Sequence, residues 1–173
     1  MNLHLPILFL ASTVATAAAF TPKKDDAASN RYHAAHCVMP GNDGDGIKRS
    51  DNYGAGNIYA YLETMVCPVD DIGTFSKADA INFVVEVRDH TSSFYIKAAT
   101  CVDFRGGTGG ACGFSDQTGT SFVGFDTLIR TTLQTDSIKP WVTYFADFGY
   151  IEVDLPGGTP SNYSSVRGYK VGY

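Results

Sequence analysis

An all-β chain built as a two-sheet antiparallel β-sandwich is predicted by three observations. Short runs alternate apolar and polar residues, clusters of Gly, Asn, Asp and Ser separate them, and helical periodicity is nearly absent. The 18 Gly and 7 Pro supply the connections such a fold needs. A closed β-barrel is the alternative that the same pattern allows.

The clearest strand is Ile81 to Asp89, where Ile81, Phe83, Val85 and Val87 fall on one face and Asn82, Glu86 and Arg88 on the other. Asn57 to Cys67 and Phe94 to Phe104 are rich in aromatic and apolar residues, and His90-Thr91-Ser92-Ser93 reads as a turn. Together these three runs predict a meander. Further strands are expected at Ser121 to Leu133, Trp141 to Phe148, Tyr150 to Leu155 and Ser165 to Val171, with Gly149 as a bulge or tight turn between the middle two. Helix is expected only as a single turn at Ser76 to Ile81.

The apolar run Leu5 to Val14, followed by Ala17-Ala18-Ala19, predicts a cleaved signal peptide over 1–19. The run is well short of the ~20 residues of a spanning helix, so the mature form is expected to have no membrane span. A loose arm is expected over 20–31, where Lys, Asp and Ala mix without an apolar face, and a single domain over 32–173. All four cysteines follow the cleavage site, and an even count in an exported protein predicts two disulfides. Three pairings are open. Cys101 and Cys112 flank a glycine-rich loop that a bridge would close, which favours Cys101–Cys112 with Cys37–Cys67. No Cys-x-x-Cys occurs, which argues against zinc.

With 13 Lys and Arg against 18 Asp and Glu, and no basic cluster longer than Lys23-Lys24, the chain is poorly matched to nucleic acid or anionic lipid. Catalytic signatures are also missing. G-x-S-x-G is absent, and Asp70-Asp71 sit in a predicted loop rather than as a glycosidase pair. His33 and His36 beside Cys37 make a weak metal set, because the cysteine is expected to be oxidised.

A cysteine near the mature start (Cys37), Val66-Cys67-Pro68, a strand ending in Val87-Arg88-Asp89, Cys101, the run Tyr150 to Pro156 and the closing Gly168-Tyr169-Lys170-Val171 form a recurring layout. In this layout the chain resembles small exported bacterial β-sandwich proteins of unknown function, over about Cys37 to Val171. The resemblance implies a secreted or periplasmic β-sandwich and a Cys37–Cys67 bridge. Those proteins often carry their last cysteine where this chain has Val153, so the partner of Cys101 would then be Cys112. It implies no activity.

Two local patterns suggest ligands. Gly41-Asn42-Asp43-Gly44-Asp45-Gly46 with Asp51 offers oxygen ligands at alternate positions, making calcium the one candidate cofactor, through Asp43, Asp45 and Asp51. A solvated turn is the plainer reading of the same residues. The dense aromatic stretch Trp141, Tyr144, Phe145, Phe148 and Tyr150 forms the second pattern, with Trp141, Tyr144 and Phe145 as the candidate ligand-binding residues. An extended Trp141 to Phe145 would show Trp141, Thr143 and Phe145 on one face as a sugar-stacking platform, unless these residues fill the core. Asn162-Tyr163-Ser164 matches a glycosylation sequon, which carries little weight beside a bacterial resemblance.

The function expected first is therefore a non-catalytic, secreted structural or macromolecule-binding module, with self-association or extracellular polysaccharide as candidate partners. A calcium-stabilised carbohydrate-binding module is the alternative, and a small secreted hydrolase the second alternative.

Overall fold

The computed structural model describes residues 29–40, 47–50, 54–70, 76–104, 109–131, 133, 139–143 and 148–173. Among the described residues eleven strands follow in chain order: β1 Ser29–His33, β2 Ile47–Ser50, β3 Gly54–Asn57, β4 Glu63–Pro68, β5 Asn82–Asp89 and β6 Lys97–Asp103, then β7 Gly110–Cys112, β8 Asp116–Gln117, β9 Gly124–Arg130, β10 Phe148–Leu155 and β11 Ser165–Gly172. One short helix, α1, covers Pro140–Thr143. The first sheet runs β2-β3-β11-β5-β9, with β1 also paired to β11. The second runs β4-β10-β6-β7, with β8 also on β6. Neither closes on itself, so the chain is a two-sheet sandwich rather than a barrel.

Period-two alternation decides which face each strand buries. In β5, Phe83, Val85 and Val87 are fully buried while Glu86 is exposed. Opposite them, β10 contributes Ile151, Val153 and Leu155, and β11 adds Val166, Tyr169 and Val171. Each such side chain stabilises the fold by about 1.5–3 kcal/mol relative to exposure. Tyr169 extends across the sandwich, its hydroxyl donating to the Pro68 carbonyl at 2.6 Å, so the two sheets are pinned as well as packed.

The single helical turn expected near Ser76 is a 3-10 turn at Lys77–Asp79, held by a capping box in which the Ser76 hydroxyl accepts from Ala78 and the Asp79 carboxylate accepts from the Ser76 amide. Both favoured disulfides form: Cys37–Cys67 closes a separation of 30 residues and Cys101–Cys112 one of 11. Loops of these lengths gain about 3–4 kcal/mol from a bridge in the chain-entropy account. Two disulfides fit an oxidising compartment. Among the described residues no helix is long and apolar enough to cross a membrane.

Four expectations need correction. The meander does not form: β4 and β6 flank β10 on either side, and β5 lies in the other sheet. Residues 29–31, read as the end of the arm, belong to β1, where backbone pairing with β11 outweighs a weak apolar pattern. The segment from Trp141 is not extended: Pro140 suits a helix start because it has no amide to satisfy, and Trp141 and Val142 continue that turn. Gly149 is neither a bulge nor a turn but an inward position of β10, where a Cβ would meet the Lys77 side chain and approach Trp141 Nε1 to 3.2 Å.

Candidate functional site on the outer face of the second sheet

Because Ile151, Val153 and Leu155 of β10 point into the core, Phe148, Tyr150, Glu152 and Asp154 point outward in one column. At two residues per step the column spans roughly 20 Å. Two aromatics occupy one end and two carboxylates the other. Phe148 is 70% exposed and Tyr150 partly so.

Since β10 is central, the column has a neighbour on each side. Tyr150 lies between Pro68 and Cys101, Glu152 between Val66 and Ala99, and Asp154 between Thr64 and Lys97. The Thr64 hydroxyl donates to Asp154 Oδ1 at 2.8 Å, which fixes that carboxylate. The Cys101–Cys112 bridge is on this face too, its sulfurs within 4.8 Å of a Glu152 oxygen. With both thiols oxidised, that trio is not a metal site.

Burial, and secondarily the charge of Asp154, raise the Glu152 pKa above the ordinary carboxylate value, with Lys97 opposing. Burial also raises the Tyr150 pKa, with smaller contributions from Glu152 and Asp103. Glu152 thus binds its proton more tightly folded than unfolded. Its stabilising contribution is complete below the unfolded value of 4.5 and lost as pH rises through the folded pKa. Glu152→Gln should therefore melt at or above the parent temperature at pH ~7 and match it at pH ~4. Thermal melts at the two pH values check this.

The residues expected from sequence to bind ligands are not gathered here. Trp141 is 1% exposed, and its Nε1 donates to the Cys101 carbonyl at 2.9 Å, so it closes one end of the core instead of offering a platform. Tyr144 and Phe145, and the calcium candidates Asp43, Asp45 and Asp51, lie outside the described residues. The sequence reading includes Phe148 and Tyr150 in its aromatic stretch but not the column they form with Glu152 and Asp154, although strict alternation with Gly149, Ile151, Val153 and Leu155 carries that signal.

A second cluster has the residue types of a serine hydrolase but not the geometry. Ser164 Oγ lies 2.7 Å from His90 Nδ1 and donates to Asp89 Oδ1 at 3.2 Å. Asp89 accepts from the Ser164 and Thr118 hydroxyls and from the Thr91 amide, leaving the imidazole unoriented by the carboxylate. Ser164 is fully buried, where no substrate reaches it. The cluster ties β5 to the start of β11 and to the Thr118 segment.

In comparison with known proteins, no family model matches the chain, and no curated protein and no solved structure matches it.

Proposed function

We propose that this chain is a non-catalytic, exported binding module that takes an extracellular polysaccharide on the outer face of its second sheet. The observation that carries the reading is the outward column of β10, in which the exposed Phe148 and half-buried Tyr150 continue into Glu152 and Asp154. Aromatic faces stack against the apolar faces of sugar rings, and carboxylates accept charge-assisted hydrogen bonds from sugar hydroxyls. The positions flanking Glu152 are small or apolar at Val66 and Ala99, so the middle of the column stands clear of bulky side chains. Export is supported by the apolar leader, the two disulfides and the resemblance to small exported bacterial proteins.

Affinity electrophoresis of the oxidised protein through gels containing neutral polysaccharides tests the proposal. At least one polymer should retard the parent chain, and Tyr150→Ala should weaken that retardation by about tenfold, or ~1.4 kcal/mol. Retardation equal in the parent and Tyr150→Ala would contradict it. The same gels run with calcium and with EDTA test whether Asp43, Asp45 and Asp51 contribute a stabilising ion.

A further inference from the structure

On the opposite side of the sandwich, a groove of about 490 Å³ runs over the first sheet, lined by Arg31, His33, Glu86, Arg167 and Lys170 among others. We infer that this groove is a second ligand site, which binds an acidic sugar of an extracellular polysaccharide through Arg31 and Lys170. It does not depend on the second sheet.

The alternation of β1 and β11 places these side chains. Tyr32 and Tyr169 stack with ring centroids 4.7 Å apart, and both hydroxyls reach across to carbonyls at and just beyond the end of β4, Tyr169 to Pro68 and Tyr32 to Asp70. Their neighbours Arg31 and Lys170 therefore face outward, and the register sets them directly opposite each other. Opposed side chains in an antiparallel pair have Cβ atoms about 4.5–5.5 Å apart, and like charges there destabilise the sheet. The row continues into Val84 and Ile129, so no carboxylate in it relieves the repulsion. Among the described residues none forms an ion pair with Arg31 or Lys170. A bound anion between them would turn this repulsion into attraction.

The adjoining row gives the site its shape. His33, Gly168 and Glu86 follow in register, and Gly168 leaves the floor without a side chain. A register shift between Val166 and Gly168 makes Arg167 an extra residue, whose guanidinium lies 4.9 Å from the Phe125 ring centroid and walls the groove on the β9 side. Two cations for a carboxylate, with Glu86 as an acceptor for hydroxyls, match an acidic sugar, which carries both groups, better than a row of phosphates. The volume falls within the ~300–1,000 Å³ of small-ligand pockets. A chain of net charge −5 with so few cations here releases few counterions from nucleic acid, which disfavours that partner.

The test uses the full oxidised chain in gels containing polygalacturonate, with neutral dextran, duplex DNA and anionic phosphatidylserine vesicles as the other arms. Polygalacturonate should retard the parent protein at low salt and release it at high salt. Arg31→Glu replaces the like-charge pair by an opposite one, so it should fold at least as well while losing retardation by about tenfold or more. Tyr150→Ala should bind polygalacturonate like the parent. Absence of retardation, undiminished retardation of Arg31→Glu, or equal retention by DNA or vesicles would overturn the inference.

Discussion

Trp141→Ala is expected to destabilise the folded chain by about 3–5 kcal/mol, with a fall in Tm of roughly 10 °C or more. Trp141 is the largest of the fully buried side chains, and it packs against the inward glycine of β10 at Gly149. Truncation would open a cavity at the end of the core that α1 covers, and would also remove the donor to the Cys101 carbonyl. Trp141→Phe separates the two contributions. It restores most of the ring volume but not the hydrogen bond, and should cost about 1–3 kcal/mol. Thermal and urea unfolding of both variants check this. A loss below ~1 kcal/mol for Trp141→Ala would place the indole outside the core.

Asp89→Ala should cost about 3 kcal/mol or more, because it strands several donors at once. The Asp89 carboxylate is 1% exposed and accepts from the Thr118 hydroxyl at 2.8 Å, the Ser164 hydroxyl at 3.2 Å and the Thr91 amide at 3.2 Å. Thr118 in turn accepts from the Ile96 amide at 2.9 Å, and Ser164 from the His90 amide at 3.2 Å. The network therefore orders both ends of the connection from β5 to β6. In a cycle with Ser164→Ala the two losses should fail to add by about 0.5–3 kcal/mol, the mark of a shared network. Equilibrium urea unfolding of the single and double variants gives that coupling, and strict additivity would remove the network from the account. His90 ties the cluster to pH: burial lowers its pKa, with Asp89 opposing and Arg88 reinforcing. Its contribution is complete above the unfolded value of 6.5 and is lost as pH falls through the folded value.

The strands legible in the sequence are those whose burial alternates on their own. β5 and β10 carry their core faces at every second residue and β11 does so from Gly168 onward, and the expected bounds lie close to those of β5 and β11 and match the end of β10. β3 was not legible, because Gly54-Ala55-Gly56-Asn57 has little strand propensity. It is a strand because glycine permits contacts that larger residues forbid: Gly54 takes a φ of 77° against the backbone at Val166, and Gly56 lies under the Tyr163 ring. β1 was hidden because its sequence, Ser29-Asn30-Arg31-Tyr32-His33, holds no alternating apolar run and a single large aromatic residue, Tyr32. Sheet order was hidden for a different reason. A local pattern says which face of β4 or β6 is buried, but not that β10 arrives between them from much later in the chain.

The two faces differ in the same way. The column on β10 lies within one strand, so its alternation could be read directly. The aromatic density around Trp141 drew attention to the wrong end of that stretch, since the indole turns inward on a helical turn. The cationic groove could not be read from sequence. Arg31 and Lys170 are far apart in the chain and meet only through the β1–β11 register, and Arg167 reaches the groove through an irregularity in β11.

Sugar binding by the outer face of the second sheet is our proposal, and amide chemical-shift mapping of the labelled, oxidised protein with neutral oligosaccharides is its sharpest test. Binding there gives saturable shifts at Phe148, Tyr150 and Glu152 and at the flanking positions Val66 and Ala99 on β4 and β6. Shifts confined to the ends of the sandwich, or no shifts with the whole oligosaccharide panel, would contradict it.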